Sequence, residues 1–334
     1  TFTGDGALAP SLFLSLETLY WRSQLMQKSS NIGGQAVMEG IMMRNGDTYS
    51  VAVRKPDHTI EMKTEPFRSI APSPSLRKIP IIRGMVAFVD SLVVGTGALM
   101  WSAEYAAEDE EEAAKKEENP EKEARTWKIL MTVTVIISIC FSVGLFVVLP
   151  YLLASLLRRI GSPEVVVSLA EALLRIVIFL LYMLLISRME DIQRVFAYHG
   201  AEHKCINCIE NGWELNVENV LKSSRRHKRC GTSFLLIVIV ISVIAFLILG
   251  LMGITSPLMR IGLRLLLIPV IAGVSFEFLR VAGSSDNPVV CKLAAPGLAL
   301  QGLVTREPDA EMAEVAISAV NAVFDWREWQ EKEG

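Results

Sequence analysis

A chain of 334 residues that is 51% hydrophobic, with a positive mean hydropathy, is too apolar for an ordinary soluble domain of its length. Its 33 basic and 36 acidic residues leave a formal net charge of −3, so no nucleic-acid partner is expected. The excess apolarity is concentrated in a few long runs, which points to a lipid bilayer as the main partner.

Residues 1–30 come first. Their apolar positions over 7–28 recur at helical spacing, with Trp21 and Arg22 near one end, as in an amphipathic helix lying on a membrane or packed on the protein itself. In the segment 31–103, the stretch Thr48 to Pro66 alternates apolar and polar residues around a Pro-Asp-His turn, which predicts a β-hairpin and hence a small sheet. The run from Ile79 to Ser102 is nearly long enough to span but carries Arg83 and Asp90, so a buried or half-inserted helix is expected there. Residues 104–127 are an acidic linker or solvated helix without chemistry.

Two membrane hairpins follow. Residues 128–187 contain the apolar runs Lys128 to Leu157 and Val165 to Ser187; residues 233–279 contain Ser233 to Met252 and Ile261 to Leu279. Each is close to the roughly 20 residues that cross a bilayer as a helix. Backbone polar groups in hydrocarbon must be satisfied within the segment, which leaves helices as the form for such runs. The connections alternate short and long, so the soluble parts 1–127, 188–232 and 280–334 fall on one side. That side carries Lys115, Lys122, Arg188, Arg194, Arg225 and Arg229, among others, and is therefore cytoplasmic. Within the spans, Glu171, Arg175 and Arg264 are read as a mutual ion-pair cluster, the alternative being a route for a polar solute. The C-terminal part, 280–334, has an apolar stretch broken at Pro296 and Gly297 and ends in an amphipathic helix over about Asp309 to Glu331.

The loop 188–232 carries the chemistry. Helical periodicity runs on from the second span through Ile192, Val195, Phe196, His199 and His203, which predicts a continuous extension of that helix. His199 and His203 are then one turn apart on one face, spaced to share a tetrahedral ion, with Glu202 on the adjacent flank to act on a water. The string His199-Gly200-Ala201-Glu202-His203 reads H-x-x-E-H, the inverted zinc-protease signature. An overlapping pattern, Cys205-x-x-Cys208 with His227-x-x-Cys230, has the spacing of a closed structural zinc site. A mixed set of His199, His203, His227 and Cys230 stands between the two. Cysteines facing a reducing cytoplasm are expected free or metal-bound.

"GGQAVMEGIMMR" (Gly33 to Arg44), "YHGAEHK" (Tyr198 to Lys204), "RCGTSF" (Arg229 to Phe234) and "LAAPGLALQGLVTREPD" (Leu293 to Asp309) resemble the YqhQ-like family of bacterial polytopic membrane proteins, of unknown function and described as metal-dependent enzymes. The resemblance implies a bacterial cytoplasmic membrane. It also implies that position 205 varies, which weakens Cys205 as a ligand and favours His199, His203, His227 and Cys230. Attention falls as well on Glu39 in "AVMEG", either a catalytic or metal-site carboxylate or an ion-pair partner for Arg44. Glu277, near the cytoplasmic end of the fourth span, stands as far along the chain from His203 as the third ligand of inverted zinc proteases does.

The expectation is thus an α-helical integral membrane protein, with about four transmembrane helices in two hairpins and a small cytoplasmic α+β portion. Zn²⁺ or another divalent ion would be held by His199, His203, His227 and Cys230, with Cys208 and Glu277 as further candidates, and Glu202 and Glu39 would be the catalytic carboxylates. The expected activity is hydrolysis of a membrane-associated peptide or lipid at the cytoplasmic face. The alternatives are a homo-oligomeric transporter or channel with a structural metal site, and a scaffold for a soluble partner.

Overall fold

The computed structural model describes residues 29–106, 120–227, 229–254, 256–284 and 287–333. The amphipathic helix expected at 7–28 and the centre of the acidic linker lie outside the described residues. Four strands, β1 (Gly33–Val37), β2 (Gly40–Asn45), β3 (Thr48–Arg54) and β4 (Ile60–Pro66), pair in chain order as an antiparallel meander. After a short 3-10 turn at Pro74–Lys78 the helices are α1 (Ile82–Ala106), α2 (Pro120–Val143), α3 (Leu149–Arg159), α4 (Glu164–Ile186), α5 (Glu190–Glu210), α6 (Val217–Lys222), α7 (Gly231–Leu251), α8 (Pro257–Ser284), α9 (Pro288–Val304), α10 (Ala310–Asn321) and α11 (Trp326–Glu333).

The sheet lies between helices. Val37, Met42, Val51 and Val53 face Ala98 and Trp101 of α1, while Ile41, Met43 and Ala52 point the other way into the main core with α5 and α10. The β3–β4 hairpin matches the alternation in its sequence. Strands β1 and β2 are concealed in the sequence because a strand covered on both faces, as Gly40 to Met43 is, has no reason to alternate.

Among the described residues five helices, not four, are long and apolar enough to cross a membrane: Ile82–Tyr105, Thr132–Arg159, Glu164–Ile186, Gly231–Leu251 and Pro257–Ala282. The added one is α1, for which Arg83 and Asp90 argue against spanning in the sequence. Both charges are met inside the protein. Arg83 forms a forked pair with Glu277 of α8, with Nε 2.6 Å from Oε1. Asp90, 4% exposed, accepts from Ser69 Oγ at 2.7 Å and from Ile70 N–H at 2.8 Å.

The four expected spans form the predicted two hairpins. α2 continues through a π-helical turn, Gly144–Val148, into α3. Pro150 has no N–H for the carbonyl of Phe146, which instead accepts from Arg175 Nε of α4 at 3.0 Å. Gly161 and Gly253, with φ of 81° and 71°, close the two tight connections. Glu164 joins these tips by bonding Arg158 (2.6 and 3.0 Å) and Arg260 (3.3 Å), so both turns sit at the same end of the bundle. About two turns in from that end, Glu171 bridges Arg175 at 2.9 Å and Arg264 at 2.7 Å, all three buried.

Three boundaries differ from the sequence reading. The second span does not run on into the histidine helix: α4 stops at Ile186, Met189 is extended (ψ 132°), and Glu190 and Asp191 begin α5 afresh, where acidic groups suit a helix N-terminus. Pro296 and Gly297 do not break the apolar C-terminal stretch, which is helical as α9; Gly297 lets Ser233 of α7 approach to about 3.0 Å of where a Cβ would stand. The terminal amphipathic helix is two helices, α10, capped by Asp309 accepting from Met312 N–H at 2.8 Å, and α11.

Candidate metal centre

Helix α5 runs through the core and is almost wholly buried from Ala197 to Glu210. Gly200 is small for a reason: the carbonyl of Arg306 lies 2.0 Å from where its Cβ would be, because the strand-like segment after α9 crosses the helix there and Arg306 N–H bonds the Phe196 carbonyl at 2.8 Å. That crossing delivers the carbonyl of Val304 to His199 Nδ1 at 2.8 Å. One turn on, His203 Nδ1 bonds the carbonyl of Arg225 at 2.6 Å. Each imidazole is therefore oriented through Nδ1, which leaves Nε2 as the nitrogen that could bind an ion.

Cys230 completes the group. It caps α7, its Sγ accepting from Thr232 N–H at 3.4 Å, and it stands 3.2 Å from His199 Nε2. One ligand atom each from His199, His203 and Cys230 lie within 4.8 Å of one another. Ligands about 2.0–2.3 Å from a tetrahedral zinc stand about 3.5 Å apart, so the cluster has the size and donor chemistry of a His₂Cys site. Two side chains set its charge. Burial works against both ionised forms, yet the histidine charges and hydrogen bonds hold the Cys230 thiol well below its usual range. The bond to Cys230, together with the nearby Cys230 and Glu202 charges, pushes His199 up to about 9 despite burial.

Glu202 adjoins this group. It is 6% exposed, and burial raises its carboxyl against the pull of the two histidines. Gly34 of β1 donates its N–H to Glu202 Oε1 at 3.1 Å, and a Cβ on Gly34 would stand 3.1 Å from that carboxyl and 2.5 Å from the Met42 carbonyl. A cavity of about 700 Å³ opens in front of these groups, walled by β1, α1, α5 and the start of α7.

The other candidates are placed elsewhere. His227 lies next to the cluster, its ring 5.8 Å from that of His203, but its Nε2 faces Glu210 at 3.3 Å and it falls outside the three-residue group. Glu210, although burial opposes its charge, is held at about 2 by His227, Arg229 and the Ser30 N–H. Cys208 turns to the Glu214 carbonyl at 3.4 Å and Cys205 is buried in the apolar core, so the C-x-x-C reading does not assemble. Glu277 is spent on Arg83, and Glu39, in the β1–β2 turn with φ 48°, on Arg194 rather than the expected Arg44. What the sequence did not reveal is the supporting layer: Gly34, the Val304 and Arg225 carbonyls, and Gln301, which bonds the backbone of His227 through N–H (3.1 Å) and carbonyl (2.8 Å). Gly34, Gln301 and Val304 lie in the quoted motifs and Arg225 does not, but nothing in those strings marks a backbone carbonyl as a histidine's partner.

The described residues define a protein with five membrane-length apolar helices and, at the end of the bundle opposite the hairpin tips, a His-His-Cys cluster under a small sheet. Over residues 79–326 the chain matches the family described as "Protein of unknown function (DUF1385)", and it belongs to that family. It is 37% identical over 295 residues to the "Uncharacterized protein YqhQ" of Bacillus subtilis (strain 168), covering 87% of this chain and 92% of that protein. No solved structure matches.

Proposed function

We propose that this chain is a metal-dependent hydrolase of the bacterial cytoplasmic membrane, with a zinc or similar divalent ion held by His199, His203 and Cys230 and with Glu202 as the general base. The observation that carries this reading is the open side of the cluster: three side chains that can ligate an ion, a buried carboxylate beside them, and a cavity in front. Structural zinc sites use four protein ligands, whereas catalytic ones keep a position open. A cation there supplies Lewis acidity and makes a neighbouring water more acidic. Glu202, with Gly34 N–H fixing one oxygen, is placed to take a proton from that water and return it to the leaving group, a role that a carboxyl raised by burial suits.

The topology accompanying this reading puts the sheet, α5 and the C-terminal helices in the cytoplasm. α1 stays at that membrane face rather than crossing. Its contacts are Gly84 on Gly273, Arg83 on Glu277, Phe88 on Phe234, and then the sheet, all toward the inner ends of α7 and α8. A transport route along Glu171, Arg175 and Arg264 is less well supported, because Glu171 pairs with both guanidinium groups.

Elemental analysis of detergent-purified protein tests the centre. One zinc per chain is expected in the wild type, in Glu202→Gln and in Cys208→Ser, with loss in His203→Ala and in Cys230→Ala. Full zinc in His203→Ala, or none in the wild type, overturns the reading.

A further inference from the structure

The cavity beside the cluster has an unusual wall. Among the described residues β1 is an edge strand, paired on one side only with β2. The direction of its backbone groups follows from the register. Arg54 N–H bonds the Glu39 carbonyl at 2.8 Å, so Gly40, opposite Val53, turns its own N–H and C=O away from β3 and toward β1. Val37 is opposite Gly40 across a two-residue turn, so Val37, Gln35 and Gly33 bond β2, whereas Ala36 and Gly34 turn outward. Gly34 N–H agrees, since it reaches out to Glu202. Among the described residues the Gly34 carbonyl and the Ala36 N–H and C=O have no partner, and Gly34 and Ala36 line the cavity together with His199, Glu202 and Cys230.

We infer that the substrate is a peptide, taken up in extended form as a fifth strand antiparallel to β1. This rests on the hydrolase reading above and names its substrate class. An alternating row of donors and acceptors matches a peptide backbone, whereas an acyl chain offers nothing to it. In this register one substrate residue exchanges both hydrogen bonds with Ala36. The residue two further on donates its N–H to the Gly34 carbonyl. Its own carbonyl would accept from Gly34 N–H in a regular ladder, but Glu202 occupies that donor. This carbonyl is left facing Glu202 and the His-His-Cys cluster, and it is the one attacked. The step is hydrolysis and needs no other reactant: water oxygen bonds to the carbonyl carbon, the carbon–nitrogen bond breaks, and the water proton passes through Glu202 to the departing nitrogen, giving an acid and an amine.

The probe is acetyl-trialanine hydroxamate, whose hydroxamate replaces the attacked amide, with acetohydroxamate as a fragment lacking the peptide. Binding to zinc-loaded, full-length Glu202→Gln protein in detergent is read by calorimetry. The tripeptide is expected to bind at least tenfold more tightly than the fragment. Methylation of its first alanine nitrogen, which removes the bond to the Ala36 carbonyl, should weaken it about tenfold. Ala36→Pro removes the outward N–H without touching the β1–β2 ladder and should weaken the tripeptide similarly while leaving acetohydroxamate unchanged. Acetohydroxamate binding with no gain from the tripeptide and no effect of N-methylation overturns the peptide assignment and leaves the metal centre standing. If neither compound binds and no zinc is present, both fall. The N-methyl probe decides the matter on unaltered backbone should Ala36→Pro fail to fold.

Discussion

Replacing Glu171 by Gln should be the most damaging single change in the helical bundle. Its carboxylate is 5% exposed and is shared by two guanidinium groups that are 4% and 2% exposed, so it is the one anion between two buried cations. Arg175 lies 4.5 Å from the Phe246 ring and Arg264 lies 4.4 Å from the Tyr151 ring, contacts of about 0.5–2 kcal/mol each that soften but do not replace the lost charge. Leaving a buried charge without its partner costs about 3–5 kcal/mol, which at about 2–4 °C per kcal/mol lowers the melting temperature by on the order of 10 °C. Arg175→Met behaves differently. Glu171 and Arg264 remain as a one-to-one pair, the Phe146 carbonyl loses one donor, and the expected loss is below about 2 kcal/mol. Thermal unfolding of the detergent-solubilised variants, followed by loss of the monodisperse chromatographic peak, gives the ranking. Equal losses for the two variants, or a neutral Glu171→Gln, would refute the shared-anion account.

At the sheet end of the bundle, Glu210 carries a titration prediction. Its folded value of about 2 lies below the ordinary glutamate range, so its contribution is complete above about pH 4.5 and fades as pH falls toward 2. Glu210→Gln should cost about 3 kcal/mol at pH 7 and flatten that part of the acid-unfolding curve; an unchanged curve would remove the ion-pair explanation. Gly200→Ala drives a methyl into the Arg306 carbonyl, and should both destabilise the protein by about 3 kcal/mol and release zinc, because the same segment holds His199; retained zinc with wild-type stability would show that the crossing is looser than described. His227→Ala should keep its zinc while losing stability through Glu210, whereas loss of metal with stability unchanged would return His227 to the ligand set. Cysteines introduced at positions 162 and 253 should react with an impermeant reagent applied to intact cells, and one at 222 should not; the reverse pattern would invert the topology.

The sequence by itself determined what is local or periodic. The four bundle helices are apolar over the length that a bilayer imposes, so they could be read without knowing their neighbours. The spacing of His199, Glu202 and His203 needs only the helical repeat, and the β3–β4 hairpin only alternation about a turn. Tertiary structure decided everything that depends on partners far apart in the chain. Where the Arg83 charge of α1 is met turned on Glu277, nearly two hundred positions away, and whether Cys208 or Cys230 joined the histidines turned on the cap of α7. The occupation of Nδ1 on both histidines, which leaves Nε2 as the candidate ligand atom, came from carbonyls of Val304 and Arg225, whose side chains carry no trace of that use. Backbone groups do not differ between residue types, so a site whose orientation and edge are made of them leaves only one sign in the sequence: a glycine, such as Gly34 or Gly200, where another chain comes too close for a side chain.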